Sequence, residues 1–266
     1  TDAYILADKL VHASIIDGIK LSGLPFARFR HNDISHLAKL AQKVSAEGRK
    51  IIIIAESVYS MDGDRADIES IAEIKRQHEG ALLYVDEAHA VGVEGPGGLG
   101  LCKASPAYED VDIIVGTLGK ALASSGAYAI LKTPLRSFMI NRSRSLIFST
   151  ALPPLCVLWS QYVFTKCLEM DSERARLRSL SRLLASELSL VGGNGYMSHI
   201  QAVICGDPKR AVQFSALLSE DGFTVLPIRT PTVPPGTDRL RLSLSTAITP
   251  AQISELGACL KKHLQQ

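Results

Sequence analysis

The chain has 266 residues, a formal net charge of +2 and 46% hydrophobic residues, a profile that excludes a disordered tail, a collagen-like repeat and a basic nucleic-acid-binding arm. Charges of both signs are interspersed with no like-charge block, so DNA, RNA and acidic membranes are not expected as partners, and small-molecule chemistry is. Five scattered cysteines without a CxxC pair suit reduced thiols in a soluble cytoplasmic protein, and no apolar run approaches a membrane span.

In chain order, Tyr4–Ala7 reads as a buried strand, so the chain is expected to open inside a domain. Phe26–Phe29 is a second strand. Ile34–Ser45 follows with apolar residues at Ile34, Leu37, Leu40 and Ala41, the spacing of a helix face. Ile51–Ala55 is a strand, Ile68–His78 a helix, and Ala81–Val85 and Asp112–Val115 are strands. Strand alternating with helix predicts an α/β fold, with a mostly parallel sheet lying between helices. Past Pro153-Pro154 the spacing predicts one long helix from Leu155 to Leu190, then strands near Ile200–Cys205, Phe223–Pro227 and Arg239–Leu244, and a closing helix from Pro250. We therefore expect a large domain over 1–168 and a smaller α+β domain over 169–266.

Ligands of such sheets bind beyond the carboxyl ends of the strands. Three polar stretches stand there: Ser57 through Asp64, Asp86-Glu-Ala-His89 and Thr117-Leu-Gly-Lys120. Asp-Glu-Ala-His also marks DEAH-type ATPases, but that chemistry needs an upstream G-x-x-x-x-G-K-[ST] phosphate loop. The one Gly-Lys, Gly119-Lys120, lies downstream and is followed by Ala121. Gly95-Pro-Gly-Gly-Leu-Gly100 fits a dinucleotide fingerprint only formally, since no amphipathic helix opens from it; a turn beside the site is the better reading. A lysine at a strand end can form a Schiff base with a carbonyl cofactor, and a nearby aspartate can hold a pyridine nitrogen protonated. Lys120 and Asp86 supply that pair for pyridoxal 5′-phosphate (PLP).

Seven stretches resemble, in order, those of the α-oxoamine synthases, fold-type I PLP-dependent transferases. They are Leu10-Val-His12-Ala-Ser14, His31-Asn-Asp-Ile-Ser-His36-Leu, Glu56 through Asp64, Asp86-Glu-Ala-His89, Gly116-Thr-Leu-Gly-Lys120-Ala, Phe148-Ser-Thr-Ala-Leu-Pro-Pro154 and Thr230 through Arg241. The resemblance implies an aspartate aminotransferase-like fold whose N-terminal part, about a hundred residues in the family, lies upstream of this chain. It implies that Lys120 bonds the cofactor and moves the substrate α-proton, that Asp86 pairs with the ring nitrogen, that His89 and Ser60 reach the ring oxygen, and that His12 stacks on the ring. Thr117 is implied as a phosphate ligand, Ser149 and Thr150 as phosphate contacts from a partner subunit, and Arg241 as the clamp on the substrate carboxylate.

The implied reaction, closest to the biotin-pathway branch, condenses L-alanine with pimeloyl-CoA or a pimeloyl carrier protein, with loss of CO2. The family implies a homodimer with the active site at its interface. Glycine C-acetyltransferase, 5-aminolevulinate synthase and serine palmitoyltransferase are the alternatives within the family; a DEAH-type ATPase and an inactive subunit of a larger assembly are those outside it. Ala90-Val91 departs from the Gly-Thr of many biotin-pathway members. His31 and His36 are expected to be packing or surface residues with no metal, and Arg239 is expected on the surface side of its strand.

Overall fold

A computed structural model describes residues 2–189 and 191–264. The chain divides into two compact units, Thr1–Tyr59 with Arg65–Asp171, and Ser60–Asp64 with Ser172–Gln266.

The first unit runs β1 (Ala3–Asp8), α1 (Ala13–Ser22), β2 (Phe26–Phe29), α2 (Ile34–Ala46), β3 (Lys50–Glu56), α3 (Ile68–Arg76), β4 (Leu82–Asp86), α4 (Leu101–Ala104), β5 (Ile113–Thr117), β6 (Ala127–Leu131), α5 (Thr133–Arg142), α6 (Arg144–Ile147) and α7 (Pro154–Leu168). Its sheet has the order β2-β1-β3-β4-β5-β6, parallel except for the antiparallel edge strand β6. Both faces are covered, which is why the inner strands read as unbroken apolar runs. Ile51, Ile53 and Leu83 pack with Leu37 and Ile71 on one face, and Ile5, Ile54 and Ile19 on the other. Aspartates start two of the covering helices: Asp33 takes the N–H of His36 at 2.8 Å and Asp67 that of Ser70 at 3.0 Å, each satisfying a donor that the first helical turn leaves open.

Strand order reverses between β1 and β3, where the loops leaving neighbouring strands turn to opposite sides and open a crevice. Register sets Glu56 beside Asp86 and Asp86 beside Val115. The strand-end polar residues are therefore lined up across adjacent strands.

The expected strands and the helices α2 and α3 are present with small boundary shifts, except that the strand expected at Phe223–Pro227 begins three residues later, at Leu226. The single helix expected from Leu155 is two, α7 and α8 (Asp171–Leu188); Leu190 lies outside the described residues. Acidic and hydroxyl groups at Asp171-Ser172-Glu173 suit a new helix N-terminus better than a helix interior. The second unit continues with β7 (Ile200–Ile204), α9 (Pro208–Glu220), β8 (Leu226–Ile228), β9 (Arg239–Ser243) and α10 (Pro250–Leu264). Its antiparallel sheet has the order β7-β9-β8, and Leu240 and Leu242 of β9 bury one face against Leu184, Leu218 and Leu260. Among the described residues no helix is long and apolar enough to cross a membrane.

The glycine-rich turn is held by a buried carboxylate. Glu87 is 2% exposed and accepts the Cys102 N–H at 2.9 Å. Gly100 has φ +94°, and a Cβ there would stand 1.9 Å from Glu87 Oε2. Gly100→Ala is expected to cost about 2–4 kcal/mol, by combining a positive φ with displacement of a buried carboxylate; urea unfolding checks it, and a loss below about 0.5 kcal/mol would contradict it.

Candidate functional site

A cavity of about 310 Å3 opens at the carboxyl ends of the first unit's strands, lined by His12, Glu56, Asp86, His89, Thr117 and Lys120 among others. Lys120 Nζ lies 2.8 Å from His89 Nε2. A lysine ammonium here donates to an imidazole whose own proton is on Nδ1, so the two side chains share one polar contact at the cavity wall. Asp86 Oδ1 accepts the N–H of Ala88 at 2.8 Å, an Asx-type turn that opens the loop after β4. Burial pushes the Asp86 carboxyl above its ordinary value, opposed by that hydrogen bond and by the charges of Lys120 and His12. Such a carboxylate is stabilised by a cationic partner.

His12 starts α1, where its Nδ1 contacts Ser14 Oγ at 2.8 Å and receives the Ser14 N–H at 3.3 Å. Its ring is exposed and lines the cavity. The Thr117 hydroxyl is engaged with its own loop, donating to the Gly126 carbonyl and receiving the Gly119 N–H, each at 3.3 Å.

Glu56 is the residue that motif reading passed over. It is 3% exposed, lines the cavity, and its Oε1 has no hydrogen-bond partner. Desolvation and the neighbouring Asp86 charge push its pKa up to about 8, although the His12 backbone N–H and Lys120 act the other way. Glu56 is the first polar residue after the Ile51–Ala55 run, the same signal that singled out Asp86.

Five of the nine expected site residues line this cavity: Lys120, His89, Asp86, His12 and Thr117. Ser149 and Thr150 are exposed between α6 and α7 and do not line it. Ser60 and Arg241 belong to the second unit. There Arg241 Nε donates to the Ser60 carbonyl and Nη1 to Ser243 Oγ, each at 2.7 Å. Arg239, expected on the surface, is 5% exposed and ion-paired with Asp62; residues two apart on a strand share a face, so it points to the same side as Arg241. His31 and His36 are packing residues as expected: His31 contacts buried Asp8 at 2.9 Å and meets Tyr59 edge-on, and His36 accepts the Arg30 N–H.

The donor set suits PLP. Lys120 is an amine for the carbonyl and Asp86 a half-buried carboxylate for the ring nitrogen, while the orphaned Glu56 Oε1 stands in the same cavity wall. The DEAH reading fits less well, because its second residue, Glu87, is buried on the Cys102 N–H.

The family model for aminotransferase class I and II matches residues 1–259. The chain is 44% identical over 261 residues to an 8-amino-7-oxononanoate synthase of Haemophilus ducreyi, covering 96% of this chain and 67% of that protein. Among solved structures, a serine palmitoyltransferase with PLP aligns with a TM-score of 0.91 and 32% identity, over 98% of this chain and 66% of that one. The 8-amino-7-oxononanoate synthase of Francisella tularensis aligns with a TM-score of 0.87 and 28% identity, over 99% and 76%. The chain spans about two thirds of the length of the curated relatives it matches.

Proposed function

Because the chain belongs to the aminotransferase class I and II family, within its α-oxoamine synthases, we propose that it forms the PLP-binding and C-terminal parts of an 8-amino-7-oxononanoate synthase. The reaction is the decarboxylative condensation of L-alanine with a pimeloyl thioester, carried by coenzyme A or by a carrier protein, releasing the thiol and CO2. The observation that carries this reading is the convergence of Lys120, His89 and Asp86 on one cavity in a chain 44% identical to a synthase of that name.

PLP, when bound, supplies an electron sink for the carbanion formed at the amino acid's α-carbon. The chain's own residues do the rest. Lys120 Nζ takes the α-proton and later returns one, and its 2.8 Å contact with His89 aims the amine. Asp86 would hold a proton on the cofactor's ring nitrogen, His12 would cover the ring, and His89 and Ser60 would address its oxygen. Thr117 would bind the phosphate, with Ser149 and Thr150 contributing from a second copy. Arg241 receives the substrate carboxylate through its planar fork. A homodimer with the site at its interface and a cytoplasmic location belong to the same proposal.

The test is a visible absorption titration of the purified protein with PLP, followed by L-alanine or glycine and then pimeloyl-CoA. We expect a PLP band that shifts with L-alanine far more than with glycine, and release of free thiol only when pimeloyl-CoA follows. A band responding equally to glycine or serine would move the assignment to a sister activity. Absence of any band would remove the reading.

A further inference from the structure

We propose that Arg239 is a positioning residue: through its ion pair with Asp62 it holds the Ser60–Asp64 loop so that the Ser60 carbonyl aims the Arg241 guanidinium. The inference rests on the reading of Arg241 as the carboxylate clamp, and it deepens that reading.

Arg239, Arg241 and Ser243 occupy alternate positions of β9 and so share a face, opposite the face where Leu240 and Leu242 enter the second unit's core. On that shared face the two arginines have different surroundings. The Arg239 side chain is 6% exposed, its Nη1 pairs with Asp62 Oδ1, and its Nε donates to the Thr237 carbonyl at 2.8 Å. Its charge is neutralised. Arg241 is half-buried and among the described residues donates to neutral oxygens, the Ser60 carbonyl and Ser243 Oγ. Among the described residues no carboxylate pairs with it. Desolvation by burial lowers its pKa.

The loop that supplies the Ser60 carbonyl is fastened at two successive residues. The Asp62 carbonyl accepts Asn194 Nδ2 at 2.7 Å while its carboxylate takes Arg239. Gly63 has φ +75° and lies so close to β7 that a Cβ would stand 1.9 Å from the Ile200 carbonyl oxygen and 2.5 Å from Ser198 Oγ. Ser60 lies two residues before this anchor. Its carbonyl takes the Nε–H and Ser243 Oγ one Nη1 N–H, which leaves the Nη2 donors and the second Nη1 N–H for a carboxylate. A bidentate contact tolerates little misalignment, so loosening the loop weakens carboxylate binding, while Lys120, Asp86, His12, His89 and Thr117 stand in the first unit and off this loop.

Asp62→Asn in the PLP-loaded protein tests this. The L-alanine dissociation constant, read from the visible spectrum, is expected to rise about tenfold, more than the dissociation constant of PLP, for which Ser60 is the one proposed contact on this loop. Hydrogen exchange at the Arg241 Nε–H, followed by 15N NMR, is expected to accelerate. Arg239→Lys, which keeps the charge and loses the fork, is expected to act in the same direction and serves if Asp62→Asn does not fold. A folded variant with unchanged exchange at Arg241 and unchanged L-alanine affinity overturns the proposal. Arg241→Ala is the separate control: if it leaves L-alanine binding intact, the clamp reading fails, while exchange at the Arg241 Nε–H in Asp62→Asn still decides whether the ion pair aims the guanidinium.

Discussion

Replacing Lys120 by alanine is expected to lower turnover by about 10^4-fold or more and to abolish the visible PLP band, while the stability of the fold changes by less than about 0.5 kcal/mol. The two halves of this expectation come from one observation. Lys120 is exposed on the cavity wall and belongs to none of the buried clusters, so its removal opens no hole in the core. The alanine variant forgoes the 2.8 Å hydrogen bond to His89, and at an exposed site water can take the place of the amine. Lys120→Arg is expected to be as inactive as the alanine variant, although it keeps the positive charge, because a guanidinium stays protonated at every accessible pH and cannot act as an amine nucleophile or a base. Steady-state turnover beside urea unfolding gives both numbers. Retention of a tenth of the activity in either variant would remove Lys120 from the catalytic role.

The parallel sheet was legible because strands covered on both faces must be apolar along their whole length, so each announces itself as a run ending in a polar residue. Ile51–Ala55 and Ala81–Val85 are such runs, and Glu56 and Asp86 end them side by side. Elements without that signature were missed. β6 lies at the edge of the sheet and is largely exposed, and it sits directly after the glycine and lysine stretch that was read as a site loop. The sequence nevertheless carried signals for two of the missed helices. In α1, Ile15, Ile16 and Ile19 have helical spacing, and in α9 Asp207-Pro208 is an N-cap followed by the proline that a first turn accepts.

The Ser60–Asp64 loop was legible as a motif but not as a member of the second unit. Its partner Arg239 lies 177 residues away, and nothing local in either segment encodes that contact. Arg239 differs, because its place follows from strand geometry alone. Alternation puts Arg239 and Arg241 on one face and Leu240 on the other. Glu56 went unnoticed because it stood at the head of a matched stretch rather than alone; its burial and its neighbour, not its identity, make it chemically distinctive.

Glu56→Gln is expected to be more stable than the parent chain at pH 8, and by a margin that shrinks as the pH falls. In the folded protein, desolvation and the adjacent Asp86 hold the Glu56 pKa at about 8; in the unfolded chain it returns to about 4.3. Below pH 4 the carboxyl is protonated in both states and the two proteins differ little. Between those values the unfolded chain has released the proton and the folded chain retains it, so folding takes up a proton and stability falls as the pH rises, by at most about 1.4 kcal/mol per unit. Above pH 8 both states are ionised and the loss levels off. Glutamine has the shape of the protonated acid, can still accept the His12 N–H, and does not titrate. The margin should therefore reach about 2–4 kcal/mol at pH 8, allowing for relaxation around the charge. Asp86, whose carboxyl is also raised by burial, is present in both proteins, so the comparison isolates Glu56 and its coupling to that neighbour. Urea unfolding of the pair at pH 5, 6, 7 and 8 gives the slope. A margin independent of pH would mean that Glu56 is ionised in the folded protein throughout, and the polar wall beside Asp86 would then carry two negative charges rather than one.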